Sequence, residues 1–535
     1  MSRLIKGLVI FLILVGALLV GLVLAAETTW FSHFVARQAS ARFDRQVTIG
    51  GPFEIDWSLH PRVRVPSLTI ANVPWAGEKP LAEIATTDLL LDLTGLLRGR
   101  LAVDDLSLSQ PRLTLVRAEN GRSNWQELTE KRGPGGPSAV TLDKVRVRDG
   151  HIDFQDATQT LALNLAVQTT PTETGAERLH LVGTGTRRGR PFEFDLRGGP
   201  LLAVTDPSRP YPVAGTLQAG KTMLKGEGTL LRPAAPASGT FEVVLQGPNP
   251  AELHDLLGLT LPDLPPYQLQ GHLTFEKDIW RFQKFSGTVG DSDLAGDLVI
   301  RPGKPLILET ELTSRRLDLD DLLPALGAAP ATGKGETASA EQKQKARTEK
   351  QDKDALPKAR PDRSRLEGVE AWVRFRGERV NAPRKIPLER VSFTLNLKDG
   401  VLRFEPLTFG VGGGKINSQL TLDVRKQPVQ GKVEARMQDV DLGNLLTDFG
   451  VPGGGFGTIR AKLDTRFAGE SVKQAFASTD GSLLLYMTSG QVNAVLVSLA
   501  GLDAGQALIE RFFGSGETKI ECAFTHVKAN DGLAK

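Results

Sequence analysis

From Val47 onward, apolar and polar residues alternate with a period of two, and this constrains the fold more than any other feature of the chain. Val63 and Val65 alternate with Arg62 and Arg64. Leu89, Leu91 and Leu93 are spaced by Leu90 and Asp92. Leu101 and Val103, Leu106 and Leu108, then Leu113 and Leu115 repeat the pattern. Successive side chains of a strand point to opposite faces, so such runs make a sheet with one apolar and one polar face. The stretches LALNLAVQ (161–168), FEFDLRG (192–198), GTFEVVLQG (239–247) and QLQGHLTFE (268–276) carry the pattern through the middle. Long helical spacing is rare, so crossover helices are few and the predicted sheet is antiparallel. Short helical spacing occurs at 251–259 and 317–327. The fold class is therefore mostly β, a long curled antiparallel sheet or groove with a few short helices.

Turn residues predict register. A two-residue type I′ hairpin needs positive φ at both central positions, which Asp-Gly tolerates. Asp149-Gly150 then sets Val147 opposite Ile152 and Val145 opposite Phe154. Asp399-Gly400 sets Leu397 opposite Leu402 and Leu395 opposite Phe404. Asn120-Gly121 sets Glu119 opposite Arg122, and Asp480-Gly481 is a further candidate turn. Glycine clusters at 412–414 and 453–455 predict turns, bulges or close backbone approaches. GVGGGK (410–415) is not a phosphate loop, because Lys415 is followed by Ile416 and the spacing between its glycines is wrong.

The N-terminus has a different pattern. Gly7 to Ala26 is an unbroken apolar run of about 20 residues, enough to cross a bilayer as a helix. Arg3 and Lys6 precede it, so residues 1–6 are expected in the cytoplasm and 7–26 across the membrane. A cleaved signal peptide, with Val23 and Ala25 as its cleavage pattern, is the alternative, and both readings export the rest. Residues 27–43 have helical spacing that places Trp30, Phe31, Phe34, Val35 and Ala39 on one side, with Trp30 as an interfacial anchor.

The exported part then reads as a β region over 44–327, a disordered charged linker over 328–365, and a second β region over 366–535. The linker has almost no large apolar residue and mixes acids with bases throughout. Residues 496–514 have helix-like spacing. The chain stops just after Asp531-Gly532, which reads as a truncated C-terminal region.

Composition excludes several functions. The single cysteine, Cys522, allows no internal disulfide, and a net charge of +3 over 535 residues implies no nucleic-acid partner. The 7 histidines are scattered without metal-ligand spacing. His254 and Asp255 are sequence neighbours and do not face each other on a helix or strand. No nucleophile elbow is present. No catalytic residue, metal or cofactor is nominated, and a non-enzyme is expected.

The run VTIGGPFEIDWSLHPRVRVPSLTIANVPW (47–75), followed by LLRGRLAVDDLSLSQPRLTLVRAENGRSNW (96–125), resembles the N-terminal region of the AsmA family. LNLKDGVLRFEPLTFGVGGGKINSQLTLDV (395–424) and CAFTHVKANDG (522–532) resemble its C-terminal region. The resemblance implies a protein anchored in the inner membrane, with its bulk in the periplasm. It also implies grouping with bridge-like lipid carriers, whose sheet curls into an apolar groove. Phospholipid is the implied ligand and transfer toward the outer membrane the implied role, with outer-membrane or periplasmic proteins as further partners.

The expected lining is the apolar face of the best-registered units: Leu89, Leu91, Leu93, Val145, Val147, Ile152, Phe154, Leu395, Leu397, Leu402 and Phe404. Two other readings stay open at this point. One is a non-enzymatic regulator of outer-membrane protein assembly acting through protein contacts. The other is a membrane-tethered scaffold with a closed β core.

Overall fold

The computed structural model describes residues 27–58, 60–92, 102–126, 141–172, 177–206, 208–233, 236–253, 263–322, 330–349, 368–381, 388–448, 455–469, 472–492 and 518–534. The apolar run at 7–26, Leu93, most of the predicted helical breaks and the 496–514 segment lie outside these residues. The chain divides into two compact units, Met1–Gly239 and Thr240–Lys535. Both are mostly β.

Unit 1 opens with helix α1 (Thr29–Phe43) and strands β1 (Val47–Ile49), β2 (Glu54–Asp56) and β3 (Arg62–Ile70). Next come β4 (Ala82–Asp92), β5 (Ala102–Ser109), β6 (Arg112–Arg117), β7 (Thr141–Leu142), β8 (Val145–Arg148) and β9 (Gly150–Asp156). The meander β10 (Leu161–Pro171), β11 (Glu177–Arg187), β12 (Arg190–Gly198), β13 (Tyr211–Ala219) and β14 (Thr222–Leu231) follows. Strands β9 to β14 pair antiparallel in chain order, as the alternation predicts.

The helix buries a different stripe from the one read in the sequence. Ser32 and Ala36 are buried, and Phe31 and Val35 pack with them against Ile49, Phe53 and Val63. Trp30 is 62% exposed and Phe34 39% exposed, stacked on each other with centroids 5.9 Å apart. The side chains of β1 to β3 therefore select the 31/35 edge of the aromatic cluster and leave the 30/34 edge outside.

The hairpin predicted at Asp149-Gly150 does not form. Asp149 has φ 51, but Gly150 is not among the positive-φ glycines, so a type I′ turn is absent. Instead β8 and β9 continue in one direction through a kink and run parallel to β5 and β6, which are kinked alongside at Gln110 (φ 50). Val145 pairs with Leu106, Ile152 with Leu113, and Phe154 with Leu115. The Gln110 amide donates to the Arg148 carbonyl at 2.8 Å and the His151 amide to the Pro111 carbonyl at 2.7 Å, so the ladder crosses both kinks unbroken. Gly150 serves close approach instead of a turn: a Cβ there would lie 2.9 Å from the Val167 carbonyl oxygen.

Two other turn predictions shift. At Asn120-Gly121 the Ala118 amide donates to the Arg122 carbonyl at 2.9 Å, closing a three-residue loop, and Arg122 lies over Trp75 at 5.4 Å instead of opposite Glu119. Asp480-Gly481 is not a turn, since Gly481 pairs inside a strand with Thr465 and Ala529.

Unit 2 contains β15 (Ser238–Gly247), which starts at the boundary, then β16 (Tyr267–Glu276), β17 (Ile279–Val289), β18 (Ser292–Arg301) and β19 (Leu306–Asp318). Helix α2 (Ala340–Glu349) leads to β20 (Val369–Asn381), β21 (Val391–Lys398), β22 (Val401–Val411), β23 (Gly414–Asp423) and β24 (Gln430–Asp441). The short helices α3 (Leu442–Asp448) and α4 (Val472–Ala477) flank β25 (Gly455–Ala468), and β26 (Asp480–Val492), β27 (Thr518–Asn530) and β28 (Leu533–Ala534) close the described residues. The hairpin at Asp399-Gly400 forms as predicted, with Leu397 opposite Leu402 and Leu395 opposite Phe404. Both of its central residues have positive φ, 48 and 69. Gly412-Gly413 makes the next such turn.

The sheet is not wholly antiparallel, because β19 and β20 pair parallel, Leu312 beside Phe375. The charged segment falls between these two strands. Part of it is helical, since the Ser339 amide donates to Gln342 Oε1 at 3.0 Å and the Gln342 amide to Ser339 Oγ at 3.1 Å, a reciprocal cap that starts α2. Among the described residues no helix is long and apolar enough to cross a membrane.

A buried carboxylate locks the β17–β18 turn to the end of β19. Asp321 is 3% exposed and accepts hydrogen bonds from the amides of Asp291 (3.0 Å) and Ser292 (2.9 Å) and from Ser292 Oγ (2.6 Å). Burial outweighs these bonds and, with Asp318 nearby, pushes its carboxyl up to about 6. Asp320 and Glu336 are raised as well, chiefly by burial. The folded state thus holds this proton more tightly than the unfolded chain, so the Asp321 contribution favours folding at low pH and declines as pH rises from about 4 through about 6. Asp321→Asn is expected to remove that part of the pH dependence. Hydrogen exchange of the 279–301 hairpin, compared between variant and wild type at pH 4 to 6.5, measures it. An unchanged difference across that window would sink the assignment.

Candidate ligand-binding face

The pairing register collects the apolar residues of each unit on one face. In unit 1 one row runs Val63, Leu89, Leu106, Val145 across neighbouring strands. Further rows run Phe154, Leu163, Gly185, Phe192 and Ile152, Leu165, Gly183, Phe194, Leu217, Leu224. Glycine alternates with large side chains along these rows for a physical reason. A Cβ on Gly185 would meet the Phe192 ring at 2.5 Å and Leu163 at 2.7 Å, so the rings and branched chains lie flat over a bare backbone.

In unit 2 the apolar face carries Leu312, Phe375, Phe393 and Leu407, then Val373, Leu395, Phe404, Leu420 and Val433. Its aromatic rings touch: Phe375 and Phe393 stack at 5.2 Å, and Phe393 meets Phe404 edge-on at 5.6 Å. Phe282 stacks on Phe285 at 4.9 Å and Phe275 on Trp280 at 4.7 Å.

This face is only partly covered. In unit 1, α1 lies over one end, against Ile49, Phe53, Val63 and Val65. A single-turn element, Leu201–Thr205, brings Leu201 and Val204 onto the buried cluster Val147, Leu165, Val167 and Leu179. Elsewhere the large apolar residues are half-buried, including Leu163, Leu181, Phe194, Leu196, Leu217 and Leu224 in unit 1, and Leu273, Phe282, Leu298, Val373, Phe393, Leu407, Leu420 and Leu483 in unit 2. Inner residues of a sandwich of two packed sheets would be sealed. Chemically, the described part of the face offers mostly hydrocarbon and ring surface, with few hydroxyls among it, such as Thr87 and Ser418.

The residues read from the sequence as lining fall on this face, in two classes. Leu89, Leu91, Ile152, Phe154, Leu395, Leu402 and Phe404 are half-buried. Val145, Val147 and Leu397 are buried at 8%, 5% and 5% exposure and belong to the packed base of the sheet. Leu93 lies outside the described residues. Phe154 is further walled by Trp125, 6.0 Å away.

The glycine rows went unread because their signal lies in cross-strand neighbours, not in any one strand. Among the described residues, no group of three or more His, Cys, Asp or Glu side chains is placed to hold a metal ion. Two of the described histidines pair with acids on the polar face, His180 with Asp195 at 2.9 Å and His272 with Glu242 at 2.8 Å.

The AsmA family model matches residues 1–228 and 246–535, spanning both units. The chain belongs to the AsmA family. AsmA family protein YhjG of Escherichia coli (strain K12) is 25% identical over 568 residues, covering 98% of this chain and 82% of that protein. Protein AsmA of the same organism is 22% identical over 472 residues, covering 84% of this chain and 68% of that protein. No solved structure matches. Within this AsmA-family chain, Val47–Ile49 forms β1, and Ile49 packs against Ala36 of α1. The closing Asn-Trp pair is structural: Asn124, fully buried, accepts from the Val116 amide at 2.9 Å and donates to Asn72 at 3.0 Å and the Thr114 carbonyl at 2.8 Å. These two parts of the N-terminal stretches that resemble the family thus hold the start of the sheet together.

Proposed function

We propose that this AsmA-family protein is anchored in the inner membrane, binds phospholipid acyl chains along the apolar face of its periplasmic sheet, and helps move them toward the outer membrane. The observation that carries this reading is the half-buried apolar face, continuous from strand to strand within each unit. Curling of such a sheet makes a groove in which chains shed water while headgroups keep theirs. Each CH₂ removed from water contributes about 0.8 kcal/mol, so two acyl chains are held without a specific polar contact. The apolar run at Gly7 to Ala26 and the exposed Trp30–Phe34 stack just after it support membrane attachment at the α1 end.

Photocrosslinking in cells tests the proposal. A photoreactive residue at Leu163 or Leu395 is expected to trap phospholipid, found by mass spectrometry of the adduct. The same residue at Asn164 or Asn396, on the opposite face, is expected to trap none. Equal trapping from both faces, or none from either, would overturn the reading. A protein-contact role has one observation in its favour: Tyr486 and Phe524 form an exposed cross-strand pair on the polar face, 39% and 73% exposed. Protein adducts from these two positions alone would favour it.

A further inference from the structure

The polar face of unit 2 carries a cleft of about 970 Å³ across the ends of β19 to β24. We propose that this cleft is a binding site for a phosphate-bearing anion, held between Arg376 and Lys415 over the Ser392–Thr408 hydroxyl pair. The inference stands apart from acyl-chain carriage, because these side chains point away from the apolar face: they alternate with Phe375, Phe393, Leu407 and Ile416.

The register builds the site. Arg376 lies opposite Ser392, Ser392 opposite Thr408, and Lys415 opposite Gly410, the next residue on that face after Thr408. Arg376 and Lys415 are thus three strand spacings apart, about 14 Å between backbones. Both are long enough to lean inward over the hydroxyls that separate them.

Four cations line the cleft, Arg315, Arg376, Arg390 and Lys415, against two carboxylates, Glu378 and Asp439. Several of these charges are already committed. Asp439 accepts from Arg460 at 2.7 Å, Arg315 donates to Asp293 at 3.1 Å, and Arg390 comes within 4.0 Å of Glu389. The side chains of Arg376 and Lys415 make no hydrogen bond or ion pair among the described residues. Ser392 Oγ and Thr408 Oγ1 lie 2.6 Å apart. One hydroxyl proton is used between them, and Thr408 Oγ1 also lies 3.4 Å from the Ser392 carbonyl oxygen, so an outward donor is available from Ser392 when Thr408 donates to it.

The guanidinium and the ammonium are donors and the hydroxyls can donate, while Glu378, two residues from Arg376 on the same face, is the lining carboxylate that an anionic ligand must keep clear of. The matching ligand has several acceptor oxygens, a negative charge and no donor requirement, which describes a phosphomonoester or phosphodiester. A cation or an uncharged sugar does not match. The ligand is either a soluble phosphoester or the headgroup of an anionic lipid.

Lysine footprinting on the full-length protein in detergent tests this. Acylation of Lys415 is followed by peptide mass spectrometry, with Lys398 and Lys462 as internal references and sodium chloride matching ionic strength. Glycerol 3-phosphate, or phosphatidylglycerol vesicles with phosphatidylcholine vesicles as control, is expected to slow labelling of Lys415 at least fivefold relative to the references. Protection by glycerol 3-phosphate assigns a soluble phosphoester, and protection by phosphatidylglycerol alone assigns a headgroup. R376Q is expected to abolish the protection, and S392A to weaken it, with thermal unfolding unchanged because Arg376 is exposed. No protection by either probe, or equal protection in R376Q, would overturn the proposal. Lipid trapping at Leu395 is read in the same preparations, so failure at the cleft and failure of acyl-chain carriage are told apart.

Discussion

Leu395→Asp is expected to leave the protein folded and to cut the phospholipid that copurifies with it at least tenfold. Leu395 sits between Val373 and Phe404 on the apolar face, half-buried, with its neighbours Phe393 and Phe404 in ring contact. A carboxylate there keeps water from the open side, so folding loses only the burial of one leucine, about 1.5–3 kcal/mol at full burial and less here. An acyl chain passing the same point must desolvate that carboxylate or detour around it. Burying a charge without a partner costs several kcal/mol, and each 1.4 kcal/mol is tenfold in affinity.

Two comparisons separate binding from folding. Thr394→Asp, one residue away on the opposite face, is expected to change neither lipid content nor stability. Leu397→Asp, at 5% exposure, is expected to unfold unit 2, because its carboxylate has no water to keep. Lipid per mole of protein by mass spectrometry, read beside near-ultraviolet circular dichroism, gives both quantities. If Leu395→Asp unfolds the chain as Leu397→Asp does, the face is a sealed core and carriage on it fails.

What the sequence revealed and what it hid follow from the range of the interactions. Alternation is a property of one strand, so the apolar face of β10, β21 and β22 was legible residue by residue. Asp399-Gly400 was legible because turn and pairing are local to each other: the partner of Leu397 is five residues on. Asp149-Gly150 carries the same dipeptide and the same flanking pattern, and it misleads. The partners of Val147 and Ile152 are Leu108 and Leu113, brought alongside by a parallel pairing of distant segments. A dipeptide cannot report that. The same limit hid the polar cleft. Arg376, Ser392, Thr408 and Lys415 are each ordinary outward residues of their own strands, and only the stacking of β20 to β23 makes them neighbours. Burial depth was also invisible, since Leu395 and Leu397 are equivalent in pattern and differ in exposure.

Gly290→Ala is expected to destabilise the β17–β18 hairpin by about 3 kcal/mol, the sum of two separate penalties. Gly290 has φ 62, and placing a residue with a Cβ in that left-handed region costs about 1–2 kcal/mol. In addition, that Cβ would lie 1.9 Å from Asp321 Oδ1, so the carboxylate must leave. Its departure strands the Asp291 and Ser292 amides, while the Ser292 hydroxyl keeps the Asp318 carbonyl oxygen at 3.3 Å, at about 1–3 kcal/mol for unmade buried bonds. The two parts are separable. In an Asp321→Ala background the clash is gone, and Gly290→Ala is expected to cost only the backbone part. Hydrogen exchange of residues 279–301 in the intact protein reads the local free energy without requiring the two units to unfold together. A cost that is the same in both backgrounds would show that Asp321 does not clamp this turn. The consequence reaches the cleft, because Asp293, the residue after the clamped Ser292, holds Arg315, which lines it. Loosening the turn is therefore expected to free Arg315 and to speed its reaction with a guanidine reagent, a readout that a purely global loss of stability would not confine to that residue.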